Sequence, residues 1–171
     1  MKEKILNPFV MLCLGLLVGV TARLLDIFTT NLGEIFSQMA IWILLGTLIA
    51  VYSPTGKAAM RNVLPFCIGM LIAYYATAML THGAYGRSFI IGWTAFALLS
   101  PFMAYLAWMT KQRGVLPKVI GGGIVLVSLL SSILLFDRLR IYDFVIDALL
   151  IYFIFFKKID RAPYRHPADR E

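Results

Sequence analysis

The chain is poor in charge, histidine and cysteine. Asp, Glu, Lys and Arg together make up 15% of its 171 residues, against about a quarter in an ordinary soluble domain. Its two histidines, His82 and His166, fall on opposite sides of the membrane in the topology derived below, so they exclude a shared metal site. The two cysteines, Cys13 and Cys67, both sit inside apolar runs and read as small packing residues. They form neither a metal motif nor a disulfide framework. The chain has no H-E-x-x-H zinc motif, no G-x-S-x-G elbow and no phosphate-binding P-loop. No metal and no cofactor is expected. Nor is nucleic acid: the net charge of +7 is accounted for by cytoplasmic loops facing anionic lipid headgroups.

The sequence is instead 60% hydrophobic, and the apolar residues come in runs rather than alternating. Unbroken apolar segments of about 18 or more residues are the mark of helices in lipid. Six such segments are expected, at Pro8–Leu25, Ile35–Tyr52, Val63–Leu80, Phe89–Met109, Val119–Phe136 and Ile141–Phe156. The sixth is short for a span, and a start nearer Asp137 would lengthen it. The first follows a basic start, as a signal peptide would. No small-x-small cleavage site follows Val20, where the chain reads Thr21, Ala22, Arg23, Leu24, Leu25, Asp26, so it is read as the first membrane helix. The fold class is therefore all-α: one polytopic membrane domain over residues 1–156, then a basic cytoplasmic tail over 157–171. Breaks fall at Ser53-Pro54-Thr55-Gly56, at His82 to Gly86, and at Gly114 and Pro117.

Orientation follows from Lys and Arg. With six spans, Lys2, Lys4, Lys57, Arg61, Lys111, Arg113, Lys118, Lys157, Lys158, Arg161, Arg165 and Arg170 share one side; Arg23, Arg87, Arg138 and Arg140 take the other. Twelve against four places both termini in the cytoplasm, whereas an odd number of spans would give seven against nine. Tyr52, Tyr105 and Trp108 sit where an inner aromatic belt belongs. The expected location is the cell membrane.

The opposite, outer side mixes charges of both signs: Arg23, Asp26, Glu34, His82, Arg87, Asp137, Arg138, Arg140, Asp143 and Asp147. Ionisable groups within a span face the bundle interior or a watery cavity. Asp143 and Asp147 are four apart and share a face of the sixth helix. Asp147 falls about 10 Å along the axis from Ile141, at about 1.5 Å per residue. Two stacked carboxylates at that depth call for a proton, a cation or an arginine, and Arg140 and Arg23 are the candidate partners. Arg23 and Asp26, three apart, can also pair with each other. Ser37, Gln38, Trp42, Tyr74, Tyr75, Thr77, Trp93 and Thr94 gather in the same half and are candidate pocket-lining residues.

Small residues mark close helix contacts: Gly15 and Gly19 form G-x-x-x-G, and Gly69 and Ala73 form small-x-x-x-small, with packing inside the molecule favoured over dimerisation. Gly121-Gly122-Gly123 allows close approach or a hinge, and Ser100-Pro101 predicts a kink.

In its hydropathy and size the chain resembles uncharacterised families of small bacterial six-helix membrane proteins, and more loosely the substrate-binding S components of energy-coupling-factor transporters. The second resemblance implies a pocket opening outward and a first-helix small-residue surface, here Gly15 and Gly19, for a partner membrane subunit. That surface is typically alanine-based in S components, and no vitamin-specific motif is present. The expected function is binding or transport of a small solute or ion, with Asp143 and Asp147 taking a cation or amine. Arg23 and Arg140 supply counter-charges, and Asp26 lies beside them at the lip. The alternatives are a membrane enzyme acting on lipid or isoprenoid, using Asp147 with His82 or Asp26, and a non-catalytic subunit of a membrane complex. An enzyme is the less favoured reading.

Overall fold

The computed structural model describes residues 6–29, 35–36, 38–81, 86–136 and 139–159. Among them are six α-helices: α1 (Pro8–Phe28), α2 (Met39–Tyr52), α3 (Gly56–Leu80), α4 (Arg87–Met109), α5 (Val115–Phe136) and α6 (Ile141–Ile151). A π-helical turn, Tyr152–Phe156, continues α6. The helices at Pro8–Phe28, Gly56–Leu80, Ile90–Met109 and Val115–Leu134 are long and apolar enough to cross a membrane. The outer faces of the bundle carry large apolar side chains such as Phe9, Leu17, Ile91, Leu98 and Val119, a surface that water does not favour and lipid does.

The six expected segments are all helical, but their starts move. α3 begins seven residues before the expected Val63, because Thr55 Oγ1 accepts from the Ala58 N–H at 3.1 Å and caps it. Its first turns, Lys57 to Asn62, were set outside the span by polarity, not by any inability to coil. α5 likewise begins at Val115 and takes in Lys118. α2 begins at Met39 rather than Ile35, since Gln38 has extended backbone (φ −88°, ψ 145°). α6 begins at Ile141 and not earlier near Asp137, since Leu139 and Arg140 are non-helical and Arg140 has extended backbone.

α2 is the centre of the bundle, packing on α3, α4, α5 and α6. A helix so surrounded buries every face, which is why its sequence is apolar all round. Its fourteen residues span about 21 Å, less than the ~30 Å of a bilayer core. α1 packs chiefly on α3, the most extensive helix pair in the molecule. Its buried stripe is Met11, Gly15, Gly19 and Ala22, one residue per turn. Gly15 lies on the Phe66 carbonyl and Gly19 on the Met70 carbonyl, while Gly69 answers from α3 against the Leu12 carbonyl. Both G-x-x-x-G glycines are therefore consumed inside the molecule, as expected. The surface that the S-component resemblance assigned to a coupling subunit is covered by α3.

Contacts at one end of the bundle join the start of α1 to the end of α6. Asn62 Nδ2 donates to Leu6 O and Ser53 Oγ, both at 3.2 Å, tying α1, α2 and α3 together. Tyr105 stacks on Trp108 over Gly56, and Tyr52 meets Phe153 edge-on. Lys111 Nζ donates to Ile154 O and Lys157 O, both at 2.8 Å, placing a cation at the negative end of the α6 dipole.

α4 remains one helix through Pro101. Proline has no N–H for the carbonyl four residues back, that of Ala97. Ser100 Oγ donates to that oxygen at 2.7 Å, so the Ser-Pro pair repairs the bond it removes. Of the three consecutive glycines in α5, only Gly121 is required for close approach. A Cβ there would lie 2.7 Å from Ile154 Cγ2, whereas at Gly122 and Gly123 it would meet nothing.

Candidate functional site

The polar residues buried near the start of α6 form the candidate site. Arg140 ends an extended segment (φ −115°, ψ 161°), and its N–H donates to Asp143 Oδ2 at 2.8 Å. That is half of a capping box, with the acid reaching back from the third helical position to the cap residue. Asp143's other oxygen accepts from Ser132 Oγ of α5 at 3.2 Å. Asp143 is thus fully buried with both oxygens engaged.

One turn deeper, Asp147 meets different conditions. It is only 6% exposed, and its Oδ1 has no hydrogen-bond partner in the protein. Ser128 of α5 faces it, completely buried, with an Oγ that also has no partner. The Ser132–Asp143 hydrogen bond sets the register of the two helices, and one turn further along each brings Ser128 opposite Asp147. An unsatisfied buried polar group costs about 1–3 kcal/mol, and more if charged. Ser128, Ser131 and Ser132 are all buried. Sequence reasoning passed over this group, although the spacing of three and one puts Ser128 with both others on one face of an apolar helix, which was legible.

Above Asp143, Arg140 Nη1 donates to the Tyr142 hydroxyl and its guanidinium lies 5.7 Å from the Tyr142 ring centre. Gln38 Nε2 reaches the same hydroxyl at 3.5 Å. Gln38 is fully buried at the break before α2, with its Oε1 unpartnered. The Trp42 indole closes over this break by donating to Phe36 O at 3.0 Å.

The expected constellation therefore divides. Arg140, Asp143 and Asp147 come together on α6 against α5 and α2. Arg23 pairs instead with Asp26 on α1 and lies 5.8 Å from the Tyr74 ring centre on α3. Neither carboxylate of α6 has Arg23 as a hydrogen-bond partner, so the expected bridge from α1 to α6 is absent among the described contacts. Glu34, His82, Asp137 and Arg138 lie outside the described residues. The expected outer pocket does not coincide with a partly open cavity among the helices. That cavity, of about 60 Å³, lies among α2, α3, α4 and α5 and is bordered by Thr47, Cys67, Ser100 and Ala104. Of the expected pocket residues only Trp42 lines it, and its walls are apolar. Among the described residues no three His, Cys, Asp or Glu side chains cluster as metal ligands do.

The model of a family of unknown function, DUF6518, matches residues 2–152. The chain belongs to that family. The DUF6518 match takes in all six helices and every residue of the α5–α6 site, and ends on the first residue of the π-helical turn. No curated protein and no solved structure matches the chain.

Proposed function

We propose that this DUF6518 protein binds or transports a small monocationic solute, such as an amine, which enters from the outer side and reaches Asp147. The observation that carries this reading is the contrast between two carboxylates on one helix face. Asp143 is held by the cap of α6 and by Ser132, and needs nothing more. Asp147 is buried beside Ser128 with an acceptor oxygen unused, in a helix otherwise apolar at that depth. Arg140, Tyr142 and Gln38 lie on the outward side of it and form the approach. Of the partners in the enzyme alternative, Asp26 pairs with Arg23 on α1 and His82 lies outside the described residues.

The reading includes a six-span domain with both termini in the cytoplasm. Twelve Lys and Arg on one side support it, as do the contacts that bring the start of α1 and the end of α6 to one end of the bundle. A reporter active only in the cytoplasm, fused after Glu171, should be active; activity from an exclusively extracytoplasmic reporter at that site would refute the topology.

The solute reading is tested by thermal unfolding of the purified protein against a panel of small amines and guanidines. A ligand present at 100 times its Kd stabilises by about 2.7 kcal/mol. At least one monocation should raise the Tm of the wild type and leave Asp147→Asn unmoved, while Arg23→Gln responds as the wild type does. A panel without effect, or stabilisation that survives in Asp147→Asn, would remove the reading.

A further inference from the structure

The two orphaned oxygens of the α5–α6 site have a common solution. Asp147 Oδ1 and Ser128 Oγ are buried and lack partners, and the register set by the Ser132–Asp143 hydrogen bond brings the two residues opposite one another. A serine hydroxyl can donate as well as accept, so Ser128 could donate to an ionised Asp147, but that arrangement keeps a bare negative charge inside the bundle. One proton on Oδ1 removes that charge and makes the carboxyl the donor, and a single hydrogen bond to Ser128 Oγ then satisfies both atoms. The Ser128 hydroxyl would then be free to donate to the carbonyl one turn back in α5, as serines in apolar helices do.

We infer that Asp147 carries an exchangeable proton donated to Ser128 Oγ, making the pair a proton-binding site within the bundle. The inference deepens the solute reading, because this proton is the positive charge that a monocationic solute would replace. One proton would leave to water for each cation bound, and the charge of the site would not change.

The neighbours favour a proton over other cations. Hard metal ions are held by about six or more oxygens, and two orphaned ones do not make such a shell. Nor, among the described residues, does any Lys or Arg make an ion pair with Asp147. α6 packs on α2 and α5. α2 has no ionisable residue before Tyr52, at its far end, and α5 has none beyond Lys118, near its start. On α6 itself the groups are Tyr142 and Asp143, with Arg140 at the cap, whose Nη1 is bonded to Tyr142. Lys111 lies at the opposite end of α6, on the carbonyls of Ile154 and Lys157. Asp143, one turn away, supplies no positive charge.

Infrared spectroscopy of the purified protein in lipid at pH 7 tests this directly. Exposed carboxyl groups, with ordinary values near 4, are ionised there and give no carboxylic acid C=O band. The wild type should show such a band, sensitive to deuterium exchange and unchanged by added sodium at constant pH. Asp147→Asn should abolish it. Ser128→Ala should keep it but move it to higher frequency, because the hydrogen bond is lost. Absence of the band, its survival in Asp147→Asn, or its removal by sodium would overturn the inference. Should Asp147→Asn fail to fold, Ser128→Ala decides alone: a shifted band supports the pair and an unshifted one refutes it. The measurement needs no solute, so a panel of amines without effect counts against the solute reading and leaves the proton standing.

Discussion

Gly15→Ala is expected to lower the stability of the folded bundle by about 3 kcal/mol, the upper part of the range for overpacking. The added Cβ would overlap the backbone carbonyl of Phe66, which no rotamer change can move aside. α1 must then withdraw from α3 along the whole stripe, and Gly19 on Met70 and Gly69 on Leu12 lose their contacts with it. In lipid no hydrophobic force drives helices together, so close van der Waals packing of this kind is what holds α1. Gly122→Ala supplies the control, since a Cβ there meets nothing and alanine is favoured over glycine in a helix by about 1 kcal/mol. Denaturant unfolding in detergent should show a large loss for the first and no loss for the second. Equal behaviour would mean that α1 does not pack on α3 in this register.

The second large effect separates the two aspartates of α6. Asp143→Ala removes the acceptor of the Arg140 N–H and leaves the buried Ser132 hydroxyl without its partner. A lost cap and a stranded buried group together cost about 2–4 kcal/mol. Asp147→Asn keeps shape and a donor for Ser128, and should cost less than about 1 kcal/mol, within the ordinary range for a tolerated change. Thermal unfolding of the two variants beside the wild type checks the order. A reversed order would mean that Asp147 is the structural carboxylate and would remove the basis of the proposed site. Arg23→Gln combined with Asp147→Asn should behave as the sum of the single changes, because the two residues have separate partners.

Much of this was legible because lipid makes few demands and makes them strictly. Runs of apolar residues fixed the number of helices, and the spacing of Gly15 and Gly19 announced a close contact whose partner, α3, only the structure names. The Arg23–Asp26 pair was available from a separation of three along a helix. What failed to read was equally specific. Lys57 and Arg61 fall inside α3 because polarity marks the end of an apolar run and not the end of a helix. The break at Gln38 has no local signal beyond one glutamine in an apolar stretch. Asp143 and Asp147 share one helix face by spacing, and the sequence separates them only by one turn of depth. Their difference depends on the extended backbone of Arg140 and on which serines α5 turns toward them, and both are tertiary facts.

The pairing of α1 with α3, across an intervening helix, also bears on how the protein is made. Gly15 and the Phe66 carbonyl it lies on are about 50 residues apart, which a ribosome adding about 5–20 residues per second covers in roughly 3–10 seconds. Through that interval the glycine face of the first helix has only lipid, or the insertion machinery, against it. The short central helix α2 emerges before any of α3, α4, α5 or α6 exists to enclose it. Synthesis thus runs ahead of burial: the innermost helix is made second, and the molecule closes around it afterwards.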